Sequence, residues 1–187
     1  MSSPPTGLPA LAAKIRRCTW CDLSGSRTHA VPGEGPRNAR LVLVGEAPGR
    51  NEDAEGRPFV GLAGRVLDEA LARAGISRTR TFITNTVKCR PPGNRRPRAK
   101  ELAACRPYLL AQFAAVRPSA IVTLGQSAAK DVLGPSASLA TTRGRWTDFG
   151  GTPVLATYHP AAILYNRRLF RILVADLRKA RQRMEAG

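Results

Sequence analysis

Acidic residues are scarce in this chain. Its 187 residues hold 13 Asp and Glu against 30 Lys and Arg, a formal charge of +17, and the isoelectric point lies near 11.3. This imbalance argues against a cationic partner and for a polyanion. Nucleic acid comes first, because neutralising phosphates releases condensed counterions. An anionic membrane surface is the rival, and a merely solvated basic surface is the plain alternative. Long apolar runs are missing as well, so no membrane-spanning helix and no membrane partner are expected. The opening MSSPPTGLPA lacks a basic stretch followed by an apolar one and does not read as a secretory leader. Its Pro, Ser and Gly suggest a flexible arm over residues 1–9, with one domain over residues 10–187. Cysteine is limited to four residues and histidine to two. In an intracellular chain, two disulfides are not the expected use of four cysteines.

What is present alternates. Leu41–Gly45 (LVLVG), Thr81–Thr84 (TFIT), Ala120–Leu124 (AIVTL) and Pro153–Thr157 (PVLAT) are short apolar, β-rich runs. Between them lie helical patterns: an apolar stripe over Leu62–Ala74 stopped by Gly75, residues 98–116 with a break or kink expected at Pro107, and Gln126–Leu133. A basic amphipathic helix over Arg168–Met184 closes the chain, and residues 134–152 read as an irregular connection with room for a hairpin. Strands alternating with helices predict an α/β fold with a parallel sheet. Ligands of such folds sit beyond the C-terminal strand ends, and three of those ends carry unusual polar residues: GEAPG after the first, Asn85 after the second, His159 after the fourth.

Cys18 and Cys21 form a C-x2-C pair, and Cys89 and Cys105 flank a basic loop and the helix after it. Four thiolates suit tetrahedral zinc or an iron–sulfur cluster, and spacing alone favours zinc. Scattered buried cysteines are the plain alternative. Gly45 and Gly49 bracket Glu46, Ala47 and Pro48 without the lysine of a phosphate loop. These glycines read as places where backbone approaches a small ligand, or simply as a tight turn. Four of the 13 carboxylates (Glu46, Glu52, Asp53 and Glu55) nevertheless crowd into this loop. Phe59 could stack on a base or fill a core, and Asn85 offers a paired donor and acceptor or a turn residue. His159, followed by Pro160, is either a site residue or a structural one.

The motifs GEAPGRNEDAEGRPFVGLAG, TNTVKCRPPGNRRP, ACRPYL, TLG and HPAA, in this order and with the four cysteines, resemble the family-4 uracil-DNA glycosylases. The resemblance runs from Cys18 to about Phe170. It implies a three-layer α/β/α sandwich with a four-stranded parallel central sheet. It also implies a [4Fe-4S] cluster on Cys18, Cys21, Cys89 and Cys105, in place of zinc. By position, Phe59 would stack on an extruded uracil, Asn85 would bond its edge and His159 would donate to its O2. Gly45, Glu46, Ala47 and Gly49 would line the pocket near the attacking water, with Glu46 the candidate to orient it and Glu52 placed to exclude a 5-methyl group. Asn94, Arg95, Leu164, Tyr165, Arg167 and Arg168 are candidate DNA contacts. After HPAAIL the family continues Arg-Asn-Pro, whereas this chain has Tyr165, Asn166 and Arg167, so Leu164 or Tyr165 is the expected wedge. A covalent uracil-binding relative carries a histidine-containing insert after the second strand; residues 85–105 hold no histidine, which favours turnover over trapping.

The expected activity is therefore monofunctional removal of uracil from single- or double-stranded DNA, the opening step of base excision repair, in a prokaryotic cytoplasm at the nucleoid. The chain is expected to be a monomer, and a replication clamp is a further candidate partner for which the sequence carries no signal. Two other classes compete: a noncatalytic metal-stabilised nucleic-acid-binding protein, which would bind without base release, and an RNA-binding protein.

Overall fold

A computed structural model describes residues 7–186. The first run, LVLVG, becomes strand β1 (Leu41–Gly45), buried along its whole length. Continuous apolarity is what a strand covered on both faces requires. β2 (Phe82–Asn85) and β3 (Ala120–Leu124) pair with β1 in parallel, and β5 (Thr152–Thr157) pairs with β3 in parallel. A fifth strand, β4 (Trp146–Phe149), runs antiparallel to β5 at the sheet edge, giving the order β2-β1-β3-β5-β4. The expected four-stranded parallel sheet is thus present with one added edge strand. It arises from the irregular connection, where Asp148 and the Gly150–Gly151 turn make the hairpin; the Gly151 N–H donates to the Asp148 carboxylate at 3.1 Å.

Alternate strand residues face opposite layers. Leu41, Leu43, Val122 and Leu155 pack against α3 (Leu62–Ala74), α7 (Pro160–Tyr165) and α8 (Leu169–Ala186). Val42, Val44, Ile121 and Val154 face α4 (Ala99–Val116) and α5 (Gln126–Leu133). The result is the α/β/α sandwich. Each fully buried Leu or Ile contributes roughly 1.5–3 kcal/mol by removal from water.

The α3 bounds follow the apolar stripe, and Gly75 (φ 72°) closes the helix in the left-handed region. Leu62 departs from the stripe: it sits at the first position and is 62% exposed. α4 passes through Pro107 without ending. Pro107 and Ala103 are both on the solvent face, so the carbonyl that loses its donor can bond water. A helix α1 (Leu8–Arg16) begins inside the segment read as an arm and packs Leu11 and Ile15 beside the cysteines. Residues 1–6 of that arm lie outside the described residues. Two short helices, α2 (Arg50–Glu55) and α6 (Leu139–Thr142), complete the chain order. Among the described residues no helix is long and apolar enough to cross a membrane.

Candidate active site

The strand register brings the polar strand ends together. Gly45 pairs with Asn85 across β1 and β2, and Leu124 with Thr157 across β3 and β5. The loops that follow enclose a cavity of about 410 Å³. Glu46, Ala47 and Gly49 line it from the β1 end, Asn85 from β2, Gly125 and Ser127 from β3, and His159 from β5.

Asn85 is 2% exposed and its side-chain amide has no protein partner among the described residues. A buried amide at the wall of a cavity is a donor and an acceptor awaiting a ligand. Gly45 is what makes room for it. A Cβ there would collide with Asn85 Oδ1 and come within 2.8 Å of Phe59 Cζ.

Phe59 adopts φ 52°, a left-handed conformation rare for an aromatic residue. Such strain costs on the order of 1–3 kcal/mol and persists only when the surroundings impose it. Gly64, in the first turn of α3, packs directly on the Phe59 backbone, where a Cβ would collide with the carbonyl. The ring centroid of Phe59 lies 5.6 Å from that of His159, with the planes 32° apart.

His159 is the N-cap of α7. Its Nδ1 accepts the Ala161 N–H at 3.0 Å, which places the ring proton of the neutral form on Nε2. Burial lowers its pKa to about 4, with Glu52 acting weakly the other way. His159 is thus a neutral donor at pH 7, its position deep although cavity-facing atoms remain accessible.

The crowded carboxylates separate into distinct jobs. Glu52 lines the cavity, but its oxygens accept the N–H groups of Val60 (2.9 Å), Gly61 (3.0 Å) and Gly49 (3.1 Å). It clamps the loop on both sides of α2. Asp53 is buried and accepts the Thr28 N–H at 2.9 Å, while its carbonyl bonds His29 Nδ1 at 3.0 Å. It is therefore an anchor between loops, not a solvated charge. Glu55 is exposed. Only the Glu46 carboxylate both lines the cavity and lacks a hydrogen bond or ion pair among the described residues.

A match to the family model described as the uracil DNA glycosylase superfamily covers residues 32–181. The chain is 43% identical to a type-4 uracil-DNA glycosylase of Saccharolobus solfataricus over 96% of this chain and 87% of that protein. It is 45% identical to the type-4 enzyme of Thermotoga maritima over 91% of each. A type-5 uracil-DNA glycosylase of Pyrobaculum aerophilum is 35% identical over 80% of this chain and 74% of that protein. The chain belongs to the type-4 uracil-DNA glycosylase family.

Of the other candidate residues of this glycosylase-family chain, Asn94 and Arg95 line the cavity, whereas Leu164, Tyr165, Arg167 and Arg168 do not. Asn94 lines it, its Oδ1 accepting Arg90 Nε at 2.7 Å. Arg95 lines it too, but its guanidinium is bidentate to the fully buried Glu101 at 2.7 and 2.9 Å. That contact, ahead of the Arg98 N–H, holds Glu101 down to about 2 against the cost of burial. Arg95 is a structural ion-pair partner first. α7 runs outward from Ala161 in the wall, ending in Leu164 (42% exposed) and Tyr165 (92% exposed). Arg167 and Arg168 follow, both exposed.

The four cysteines surround one small hollow together with Trp20, Arg27, Lys88 and Tyr108. Among the described residues no three metal-binding side chains are grouped closely enough, as they stand, to hold an ion. The surroundings nevertheless suit thiolates. Arg27 donates to Cys89 Sγ at 3.1 Å, the Lys88 N–H to Cys105 Sγ at 3.3 Å and the Trp20 N–H to Cys18 Sγ at 3.5 Å. Burial raises both Cys89 and Cys105, the latter to about 11, and the neighbouring cations pull in the opposite direction. Trp20 stacks on Tyr108 at 4.7 Å and 15° over this region.

Three residues near the site escaped the sequence reading. Lys88 is 1% exposed. Thr86 Oγ1 lies 2.8 Å from the Glu46 carbonyl and 3.1 Å from Asp131 Oδ2. Burial raises the Asp131 carboxyl, chiefly opposed by Thr86. Sequence gave no local signal for a lysine or aspartate turned inward; Thr86 lay within a motif but carried no pattern of its own.

Proposed function

We propose that this chain releases uracil from DNA by hydrolysing the N-glycosidic bond of an extruded nucleotide. The observation that carries the reading is a single cavity uniting the unpartnered Asn85 amide, the Nε2–H of a neutral His159 and the ring of Phe59. A base inside a duplex must leave the stack before its glycosidic bond can be reached. Phe59 then offers a face for the base. The Asn85 amide complements the adjacent acceptor and donor at uracil O4 and N3, which cytosine reverses.

The C1′–N1 bond breaks with its electron pair leaving on uracil, and a water oxygen bonds C1′. Negative charge grows on the uracil oxygens and positive charge on the sugar. His159 Nε2–H would donate to O2, a preorganised donor aimed at the developing anion. Neutral imidazole suits this task, because a donor that keeps its proton stabilises the leaving anion throughout. Glu46, the carboxylate left without a partner, would favour the sugar cation and orient the water, whose proton passes to it or to solvent. Glu52 acts through the Gly49 and Val60–Gly61 walls that it fixes, which limits space beside the base where a 5-methyl group would project.

Cys18, Cys21, Cys89 and Cys105 are the residues that would hold a [4Fe-4S] cluster, which would cross-link α1, the β2 end and α4. The N–H···S contacts and adjacent cations fit such a group, since thiolate ligands are stabilised by outer hydrogen bonds. Leu164 or Tyr165 would fill the space left by the extruded base, with Arg167 and Arg168 on phosphate, in a monomer working beside chromosomal DNA. The test is direct. Purified protein is incubated with a uracil-containing oligonucleotide, which is then treated with alkali; strand cleavage is expected. Intact oligonucleotide bound in a salt-sensitive way would establish the noncatalytic nucleic-acid-binding alternative instead.

A further inference from the structure

The five-residue turn Asn85–Cys89 joins the cavity to the cysteine site, and its fourth residue, Lys88, is a buried cation. Lys88 Nζ donates to the Asn85 carbonyl at 2.6 Å, to Gln112 Oε1 at 2.7 Å and to Thr84 Oγ1 at 2.7 Å. An ammonium has three protons, so this one is fully satisfied. Its own N–H donates to Cys105 Sγ at 3.3 Å, and the next residue is Cys89. Gln112 in turn donates to the Pro32 carbonyl at 2.5 Å. Cys105 and Gln112 are seven residues apart, on one face of α4. The helix that supplies a cysteine therefore also supplies the acceptor that aims Lys88 at Asn85.

A solvated lysine would serve a basic surface equally well, and burying an ammonium is costly unless it is fully bonded. This lysine is instead spent on the backbone of the base-recognition residue. Thr86 and Val87 hold the same turn to the β1 loop, through Thr86 N–H to Gly45 O at 2.9 Å and Val87 N–H to Glu46 O at 3.2 Å. Those bonds fix the turn to the cavity side. Among the described residues Lys88 alone reaches both the Asn85 carbonyl and, through its own N–H and Gln112, the cysteine-bearing α4.

We infer that Lys88 is a positioning residue that couples the four-cysteine site to the aim of the Asn85 amide. The inference rests on the base-release reading for its kinetic consequence and on the proposed cluster for its iron readout. Without the ammonium, the Asn85 carbonyl loses its donor and the turn can rotate. A misplacement of about 1 Å at a reacting centre lowers rate by on the order of 100-fold, so uracil release in Lys88→Met is expected to slow about 10- to 100-fold. Met matches the length of the stem and adds no polar group.

The experiment uses protein purified with its iron. Four quantities are compared between wild type and Lys88→Met: iron content with visible absorbance, binding to an uncleavable uracil-analogue duplex, single-turnover uracil release, and amide exchange at Thr86 and Val87. The expected pattern is split: iron and binding stay close to wild type, release slows, and exchange accelerates about tenfold. Release within threefold of wild type overturns the inference. So does a fall of iron, binding and release in step, which would make Lys88 a folding residue only. If Lys88→Met does not fold, Lys88→Met/Gln112→Met replaces the buried polar pair by apolar groups of similar size, a change cores tolerate, and the same split is required of it. Wild-type protein without uracil release would refute the base-release reading, and the exchange data would still decide whether Lys88 holds the turn.

Discussion

Replacing His159 by Asn tests the neutral-donor argument most sharply. The ring proton sits on Nε2 because Nδ1 is committed to the Ala161 N–H at 3.0 Å, and burial lowers the pKa to about 4. At pH 7 roughly one ring in a thousand is then protonated, and at pH 5 roughly one in ten. Uracil release by the wild type should therefore show no inflection near 6.5, the value of an ordinary histidine. Loss of one preorganised donor to a developing anion costs about 3–4 kcal/mol, or 100- to 1,000-fold in rate. Asn is too short to reach from the same backbone while it keeps a cap for α7, so the rate should fall by that amount with the fold intact. The assay is single-turnover release on a uracil duplex from pH 5 to 9. Stability carries a second signature. The folded pKa lies below the unfolded one, so between about 6.5 and 4 the unfolded chain binds a proton that the folded chain refuses. His159 thus subtracts stability as pH falls through this window, by on the order of 3 kcal/mol in full, and His159→Asn should flatten that part of the unfolding-versus-pH curve. A wild-type inflection near 6.5 that disappears in His159→Asn would refute the reasoning, because it would mean that the imidazole titrates in water-like surroundings.

Other perturbations read separate parts of the site. Gly45→Ala should lower the release rate at least tenfold with a small loss of melting temperature, since its Cβ meets Asn85 and Phe59 at the cavity wall. Arg95→Met leaves Glu101 buried without its bidentate partner and should cost about 3–5 kcal/mol by denaturant unfolding, whereas a purely DNA-contacting Arg95 would change binding and not stability. Cys105→Ser should abolish visible absorbance near about 400 nm and the bound iron, as a cluster needs thiolate ligands. Stoichiometric zinc with no such band in the wild type would restore the zinc assignment instead. Tyr165→Ala should weaken uracil release from duplex more than from single-stranded DNA, because only the duplex leaves a gap to fill.

The parallel sheet was readable because each central strand is an unbroken apolar run. Four helices were readable: three end at Gly75, Val116 and Leu133, and the basic amphipathic pattern over Arg168–Met184 is α8. β4 was readable only as room for a hairpin, since Trp146–Phe149 is an exposed edge strand whose residues alternate with nothing buried. α2 and α7 were hidden by length: six residues carry too little periodicity to register. Pro107 misled in the other direction, because a proline on the solvent face of a helix packed by Cys105, Leu109 and Gln112 can be carried by the packing. The site was legible as strand ends carrying polar residues. Its supports were not. Lys88 counts in the composition as one of 30 surface-type cations, and only the folded chain reveals that it points inward.

The carboxylate-rich loop of so basic a chain has a physical resolution. On the proposed reading, DNA would bring phosphates toward the cavity and this loop would face the sugar, so it must hold its own shape without relying on the ligand. Glu52 and Asp53 do this by saturating themselves with backbone N–H groups from Gly49, Val60, Gly61 and Thr28. A carboxylate that accepts several N–H groups keeps its net charge but is stabilised in place by their dipoles, so the loop's shape is set before a ligand arrives. That leaves Glu46 as the carboxylate whose charge is unspent inside the cavity. On the proposed reading, one negative charge beside a sugar becoming cationic would stabilise the transition state more than the ground state, which is the condition for a rate gain. Glu46→Gln keeps the shape and removes the charge. It should slow release while binding to an uncleavable uracil duplex holds or tightens, because the substrate phosphates no longer meet that charge. Slower release accompanied by equally weakened binding would instead place Glu46 among the residues that merely shape the wall.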